Sequence, residues 1–170
     1  FLWIPLSTVF MVALFLVLAV IWFRVTARSR ERTPTYRLMV ALPFRLYFGW
    51  IIVAMFANFG ALITQRGWDA VPFSESGAAV AALLVIVVLA ASALLLRRDM
   101  FLTMAVIWGT VAISFGPAAT TVTTVGGLLA SALLAGLAVL LFMRGRGAAP
   151  ERVPAAVTQK PAAHQEFTDR

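Results

Sequence analysis

The most informative pattern of side chains in this sequence lies between positions 43 and 61. Intervals of 4, 3, 4, 4 and 3 residues separate six positions: Pro43, Tyr47, Trp50, Ala54, Asn58 and Ala61. On an α-helix this spacing places all six on one face. Two aromatic rings, a small residue and an amide could form one wall of a pocket for a flat apolar ligand. The commoner role of such a face is an interhelical contact, in which the asparagine holds a neighbouring helix.

Catalytic chemistry finds little support among the ionisable residues. The long apolar segments contain no Asp, Glu, His or Lys, and the single histidine is His164, near the end of the chain. A hydrolytic triad, a metal centre and an intramembrane proton relay each need such residues. Cysteine is absent, which excludes disulfides and thiolate chemistry. We therefore expect no enzymatic activity and no required cofactor.

The composition excludes a soluble domain. Of the 170 residues, 62% are hydrophobic and 12% are charged, whereas soluble domains are about half apolar and about a quarter charged. A spanning helix needs about 20 apolar residues. Five continuous segments predict an all-α, polytopic transmembrane helix bundle over residues 1–143: about 2–23, 43–64, 77–96, 100–115 and 122–143.

The basic residues predict the orientation of this bundle. Thirteen of the 14 Lys and Arg residues fall on one side of the five spans, and Arg66 alone falls on the other. The positive-inside rule places the basic side in the cytoplasm, so the N-terminus is outside and the C-terminus inside. The net charge of +7 then reflects topology, and we expect no nucleic-acid partner. Residues 144–170 contain three prolines without apolar periodicity and predict a disordered cytoplasmic tail.

Several residues receive structural roles in this scheme. Arg45 is expected to extend to the cytoplasmic headgroups, with contact to a propionate or a lipid phosphate at the pocket mouth as the alternative. Trp22, Tyr36 and Trp68 are expected to lie in aromatic belts. The stretch 36–41 is expected at the membrane interface before the second span begins. Three further sets of residues also receive expected roles. Hydroxyls that are expected to bond backbone carbonyls belong to Thr103, Thr110 and Ser114. Small residues suited to close packing or to a homodimer seam are Gly127, Ser131 and Ala135. Loop carboxylates that could bind a cation are Asp69 and Glu75.

The second span also carries a family resemblance. Residues 43–58 read Pro-Phe-x-x-Tyr-x-Gly-Trp-x-x-x-Ala-x-x-x-Asn, and Trp3, Pro5 and Ser7 loosely match a motif one helix earlier. This string resembles the tryptophan-rich sensory protein family, the TspO/MBR or translocator-protein group, over roughly residues 1–68. The variant string is similar to a longer bacterial branch, whose additional helices the last three spans would represent. The chain begins at Phe1 and lacks the family's earlier helices, so it looks like the C-terminal part of such a protein.

The resemblance implies a multi-pass protein of the bacterial cytoplasmic membrane that binds tetrapyrroles, such as porphyrins, or sterol-like lipids. It assigns ligand contact to Trp50, with Tyr47, Ala54 and Asn58 as further candidates. The expected partners are the lipid bilayer, such a ligand and a second copy of the chain. Two other functions stay open: a small-solute transporter, and a structural or assembly subunit without a ligand. The resemblance also leaves open a weaker alternative, an enzyme that degrades porphyrins in a light-dependent reaction.

Overall fold

The structure is a computed structural model that describes residues 3–28, 33–66, 74–117 and 119–147. Within these ranges the regular structure is entirely helical. In chain order the elements are α1 (Trp3–Arg28), α2 (Pro34–Tyr36), a π-helix (Arg37–Ala41), α3 (Leu42–Arg66), α4 (Glu75–Arg97), α5 (Met100–Ser114) and α6 (Thr121–Gly147). The predicted all-α helix bundle is confirmed.

The helices present an apolar exterior of the kind that lipid requires. Four segments are long and apolar enough to cross a membrane: Pro5–Ala27, Pro34–Gln65, Glu75–Arg97 and Thr121–Arg144. α5 is equally apolar but has only 15 residues, a rise of about 22 Å against about 30 Å of hydrocarbon. Large side chains such as Leu96 and Trp108 point outward, 78% and 69% exposed. Together these features describe a multi-pass membrane protein.

Local side chains set several helix ends. Ser74 caps α4 by accepting a hydrogen bond from the Gly77 backbone N–H at 3.2 Å. Before α6, the Thr123 N–H donates to Thr120 Oγ1 at 3.3 Å, and the Thr120 N–H donates to Thr123 Oγ1 at 2.8 Å. This reciprocal pair resembles a capping box. α6 then continues to Gly147, so the first four residues of the predicted tail are helical, and residues 148–170 lie outside the described part of the chain.

The segment before Pro43 differs from the sequence-based prediction. Residues 36–41 do not lie apart from the second span, because α2, the π-helix and α3 follow one another without a break from Pro34 to Arg66. Proline often occupies the first turn of a helix, which made Pro43 resemble a start. Inside a helix, Pro43 has no N–H for the carbonyl four residues earlier. The π-helix directly before it, closed by the Leu42 N–H donating to the Arg37 carbonyl, accommodates this break.

Contacts between helices show their relative directions. α1 runs antiparallel to α3, since Ser7 meets Asn58 at one end and Phe15 meets Phe48 further along. α3 runs parallel to α5, and α5 antiparallel to α6. The buried core between them includes Leu18, Phe48, Ile52, Ile86, Leu102, Val106 and Leu134. These directions agree with five successive crossings, while the placement of the N-terminus outside stays a prediction.

Glycine sets how closely α3 and α5 approach. A Cβ added at Gly49 would lie 2.5 Å from the Leu102 carbonyl oxygen and 2.9 Å from Ala105 Cβ. One added at Gly109 would lie 3.0 Å from a Val53 methyl group. Without a hydrophobic driving force between helices in lipid, such close backbone packing is a main source of helix association.

We expect Gly49→Ala to lower stability by about 1–3 kcal/mol, because the added methyl group forces α3 and α5 apart. Gly60, on the same helix, has no neighbouring atom within 4 Å of an added Cβ. Gly60→Ala should therefore be neutral or stabilising by up to about 1 kcal/mol. Thermal unfolding of both variants in detergent checks this, and equal effects of the two would contradict the assigned packing.

Candidate functional site

An open groove of about 420 Å³ lies between α3, α5 and the turn that leads into α6. α3 supplies one wall and the second half of α5 supplies the other. The residues that line the groove are Trp50, Val53, Ala54, Ala57, Asn58, Gly109, Ala112, Ile113, Gly116, Pro117, Ala119 and Thr123. Small residues at the contact between the helices leave this space, and its surface is almost entirely apolar.

Three of the four candidate ligand residues contribute to this groove. Trp50, Ala54 and Asn58 line it together, one helical turn apart on α3. Trp50 is 42% exposed, so its ring borders the opening. Tyr47 is also exposed but lies outside the lining. The helical face inferred from the spacing is therefore present from Trp50 to Asn58, and ligand contact by these residues stays a prediction.

Asn58 forms a polar link between helices at the end of the groove. Its Oδ1 accepts a hydrogen bond from the Ser7 hydroxyl of α1 at 3.2 Å, and its Nδ2 donates to the Ala54 carbonyl at 3.2 Å. This is the interhelical role that a mid-membrane asparagine usually has. Asn58 also belongs to the lining of the groove.

Trp50 offers the other polar group of the groove. Among the described residues, none accepts a hydrogen bond from its indole Nε1–H. The Thr123 hydroxyl, by contrast, is engaged with Thr120, whose carbonyl accepts from it at 3.0 Å. The groove therefore combines an apolar surface, a flat aromatic ring and one indole donor at its border.

A second polar site lies buried at the opposite end of α5. Asp99 follows α4 and caps α5, accepting a hydrogen bond from the Leu102 N–H at 3.1 Å. Its Oδ2 also accepts from Trp22 Nε1 of α1 at 2.7 Å and lies 3.5 Å from Arg45 Nε of α3. One buried carboxylate thus connects three helices. We call Trp22, Arg45 and Asp99 the carboxylate cluster.

The carboxylate cluster corrects two predictions. Trp22 does not lie in an aromatic belt, since it is 6% exposed and donates to Asp99. Arg45 does not extend to the headgroups, because it turns inward to the same carboxylate with 17% of its side chain exposed. The available signal was Asp99 itself, which stands directly before an apolar helix as an N-cap residue would. Its partners, 77 and 54 positions away, leave no pattern along the chain.

Hydroxyl groups between α5 and α6 serve packing. Thr110 and Ser114 donate to backbone carbonyls at 2.9 Å, as expected, and Thr110 also meets the Ser131 hydroxyl at 2.8 Å. Gly127 packs against Thr110 and Ser114. The small residues of α6 thus contact α5 of the same chain, and a homodimer stays a prediction. The predicted loop pair Asp69 and Glu75 cannot be assessed, because Asp69 lies outside the described residues. The predicted belt residue Trp68 lies outside them as well.

Comparison with known proteins identifies the family. The family described as TSPO-like protein matches residues 1–143, from the start of α1 to the last turns of α6. The chain belongs to the TSPO-like protein family. The match extends well beyond the residues 1–68 over which the sequence string was noticed, so α4, α5 and α6 are part of the family's pattern. No curated protein and no solved structure matches this TSPO-like protein.

We expect Asp99→Asn to destabilise this TSPO-like protein by about 3 kcal/mol. Asparagine removes the charge that pairs with the largely buried Arg45 guanidinium, and breaking a fully buried ion pair costs about 3–5 kcal/mol. The residual exposure of Arg45 places the expected value at the lower end. Asparagine retains the cap and an acceptor for Trp22, so the loss reports the charge alone.

Thermal unfolding in detergent provides the measurement. Glu75→Gln is the matched control, since it removes an exposed carboxylate in the first turn of α4. It should change stability by less than about 1 kcal/mol. An Asp99→Asn variant as stable as this control would show that the ion pair contributes nothing to the bundle.

Proposed function

We propose that this TSPO-like membrane protein binds a flat apolar ligand, a tetrapyrrole or a sterol-like lipid, in the groove between α3 and α5. The supporting observation is that Trp50, Ala54 and Asn58, three residues of the family-like string, line one open apolar groove of about 420 Å³. This volume lies within the range of small-molecule sites, about 300–1,000 Å³. The proposed location is the bacterial cytoplasmic membrane.

The chemistry of the lining limits the polar groups of the ligand. None of the lining residues is charged. A porphyrin would therefore place its ring against Trp50 and leave its carboxylates beyond the opening, because an unpaired buried carboxylate is costly. A sterol-like lipid has a flat apolar body and one hydroxyl, which could accept from the indole N–H.

Sensing fits this groove better than movement of a polar solute through the bundle. The buried hydroxyls of Thr103 and Thr110 donate to backbone carbonyls at 2.9 Å, so these donors are already engaged within the bundle. The proposal includes no catalytic step. Small-solute transport and a ligand-free assembly role remain the alternatives, and flux in proteoliposomes or copurification of a partner would favour them.

Trp50→Leu should weaken binding of protoporphyrin about tenfold, because it removes the aromatic surface at the groove opening. The measurement is a titration of the detergent-purified full chain, read by tryptophan quenching and corrected for absorbance. A sterol that competes with protoporphyrin would extend the ligand class to sterol-like lipids.

Trp108→Leu is the matched control for this titration. It also removes one tryptophan, but Trp108 faces outward from α5 and does not line the groove. Its protoporphyrin affinity should equal that of the wild type. Linear quenching in all three proteins, or equal loss of affinity in both variants, would eliminate the proposed groove as a tetrapyrrole site.

Filling the groove tests the same site without removing a tryptophan. Ala112 lines the groove and is exposed, so Ala112→Phe should occupy its volume and abolish saturable binding without disturbing the core. Ala13→Phe places the same ring on the exposed surface of α1 and should leave binding unchanged. The comparison requires equal thermal stability of the two variants, and retained affinity in Ala112→Phe would locate the ligand elsewhere.

A further inference from the structure

The link between α4 and α5 contains two arginines and a single carboxylate, which does not pair with either of them. We call the three residues Arg97, Arg98 and Asp99 the elbow. The carboxylate of Asp99 is buried and directed inward, to Trp22 and Arg45. Arg97 and Arg98 are exposed, and within the described part of the chain no carboxylate pairs with either of them. The elbow therefore presents two adjacent guanidinium groups to its surroundings.

Arg97 connects the elbow with α1. Its guanidinium carbon lies 5.7 Å from the centre of the Phe23 ring, which is a cation–π arrangement. The next residue of α1, Arg24, is exposed as well. Cationic side chains of α1 and α4 thus lie on both sides of the contact between Phe23 and Arg97.

The surface next to these arginines is strongly apolar. Phe23 is exposed on α1, and Leu95 and Leu96 are exposed at the end of α4. A direct change from exposed leucine to exposed arginine along one helix is typical of the boundary between acyl chains and headgroups. A soluble anion would contact only the charged half of this surface.

The backbone of the elbow indicates that a cation at position 98 has its own role. Arg98 adopts φ 55° and ψ 36°, and it is the sole non-glycine residue with positive φ in the described ranges. Glycine is the usual residue at this left-handed position after a helix, because a Cβ destabilises it. Arginine at this position retains a second guanidinium beside Arg97 despite that destabilisation.

We propose that the elbow binds the headgroup of an anionic phospholipid. Arg97 and Arg98 contact the phosphate and the negatively charged headgroup, since guanidinium forks match phosphate oxygens. Arg24 adds attraction from α1. The acyl chains lie along Phe23, Leu95 and Leu96, so one molecule covers both halves of the surface. This site is separate from the groove between α3 and α5 and does not depend on its ligand.

Native mass spectrometry of the full chain tests the proposal directly. The protein is presented with equal amounts of phosphatidylglycerol and phosphatidylcholine that carry identical acyl chains, and the bound lipids are counted. The wild type should prefer phosphatidylglycerol. Arg97→Gln and Arg98→Gly should each reduce this preference about fivefold, the contribution of one basic side chain near an anionic lipid.

Three variants separate the site from general attraction. Arg144→Gln removes an exposed arginine of α6 outside the elbow and should leave the preference nearly unchanged. Arg98→Gly suits the local backbone, so its loss of preference cannot come from misfolding, and Arg98→Lys should retain most of the preference. Equal losses in Arg97→Gln and Arg144→Gln, or no preference in the wild type, would overturn the proposal.

A soluble competitor distinguishes a lipid from a free phosphate. Glycerol phosphate carries the anionic group without acyl chains, and it should fail to displace bound phosphatidylglycerol at matched concentration. Displacement at matched concentration would show that the elbow recognises phosphate alone and would overturn the assignment to a phospholipid.

Discussion

The carboxylate of Asp99 is the interaction on which the arrangement of the helices depends. In lipid, apolar side chains provide no preference for one neighbouring helix over another, so polar links and close packing determine which helices meet. Asp99 supplies such links to Trp22 of α1 and Arg45 of α3 while it caps α5. Helices that are far apart in sequence are thereby held together at one end of the bundle.

The groove between α3 and α5 results from the small size of the side chains at their contact. Gly49 and Gly109 allow α3 and α5 to pack closely. Next to that contact the lining consists mainly of small residues, including Ala54, Ala57 and Ala112, so the wall that α3 forms is only partly covered. The small side chains between α3 and α5 thus leave the surface that a ligand could occupy.

Periodicity and long-range contacts differ in how well sequence predicts them. Continuous apolar runs predict the helices because lipid permits few other structures, and α5 begins at the predicted residue. The π-helix was missed, since Pro43 has the appearance of a helix start. The carboxylate cluster was missed because a lone Asp between two helices does not indicate its distant partners. The helical face was predicted from Pro43 to Ala61, but it lines the groove only from Trp50 to Asn58, and spacing alone could not show that Tyr47 falls outside.

The length of α5 has a consequence for the surrounding bilayer. Its 15 residues rise about 22 Å, whereas α4 and α6 have 23 and 27 residues and rise about 34 and 40 Å. A single bilayer cannot match both lengths, so the lipid beside α5 must thin or the turn at Gly116 and Pro117 must sit below the membrane surface. The hydrophobic thickness of the bilayer therefore determines how far below the membrane surface the groove beside α5 lies.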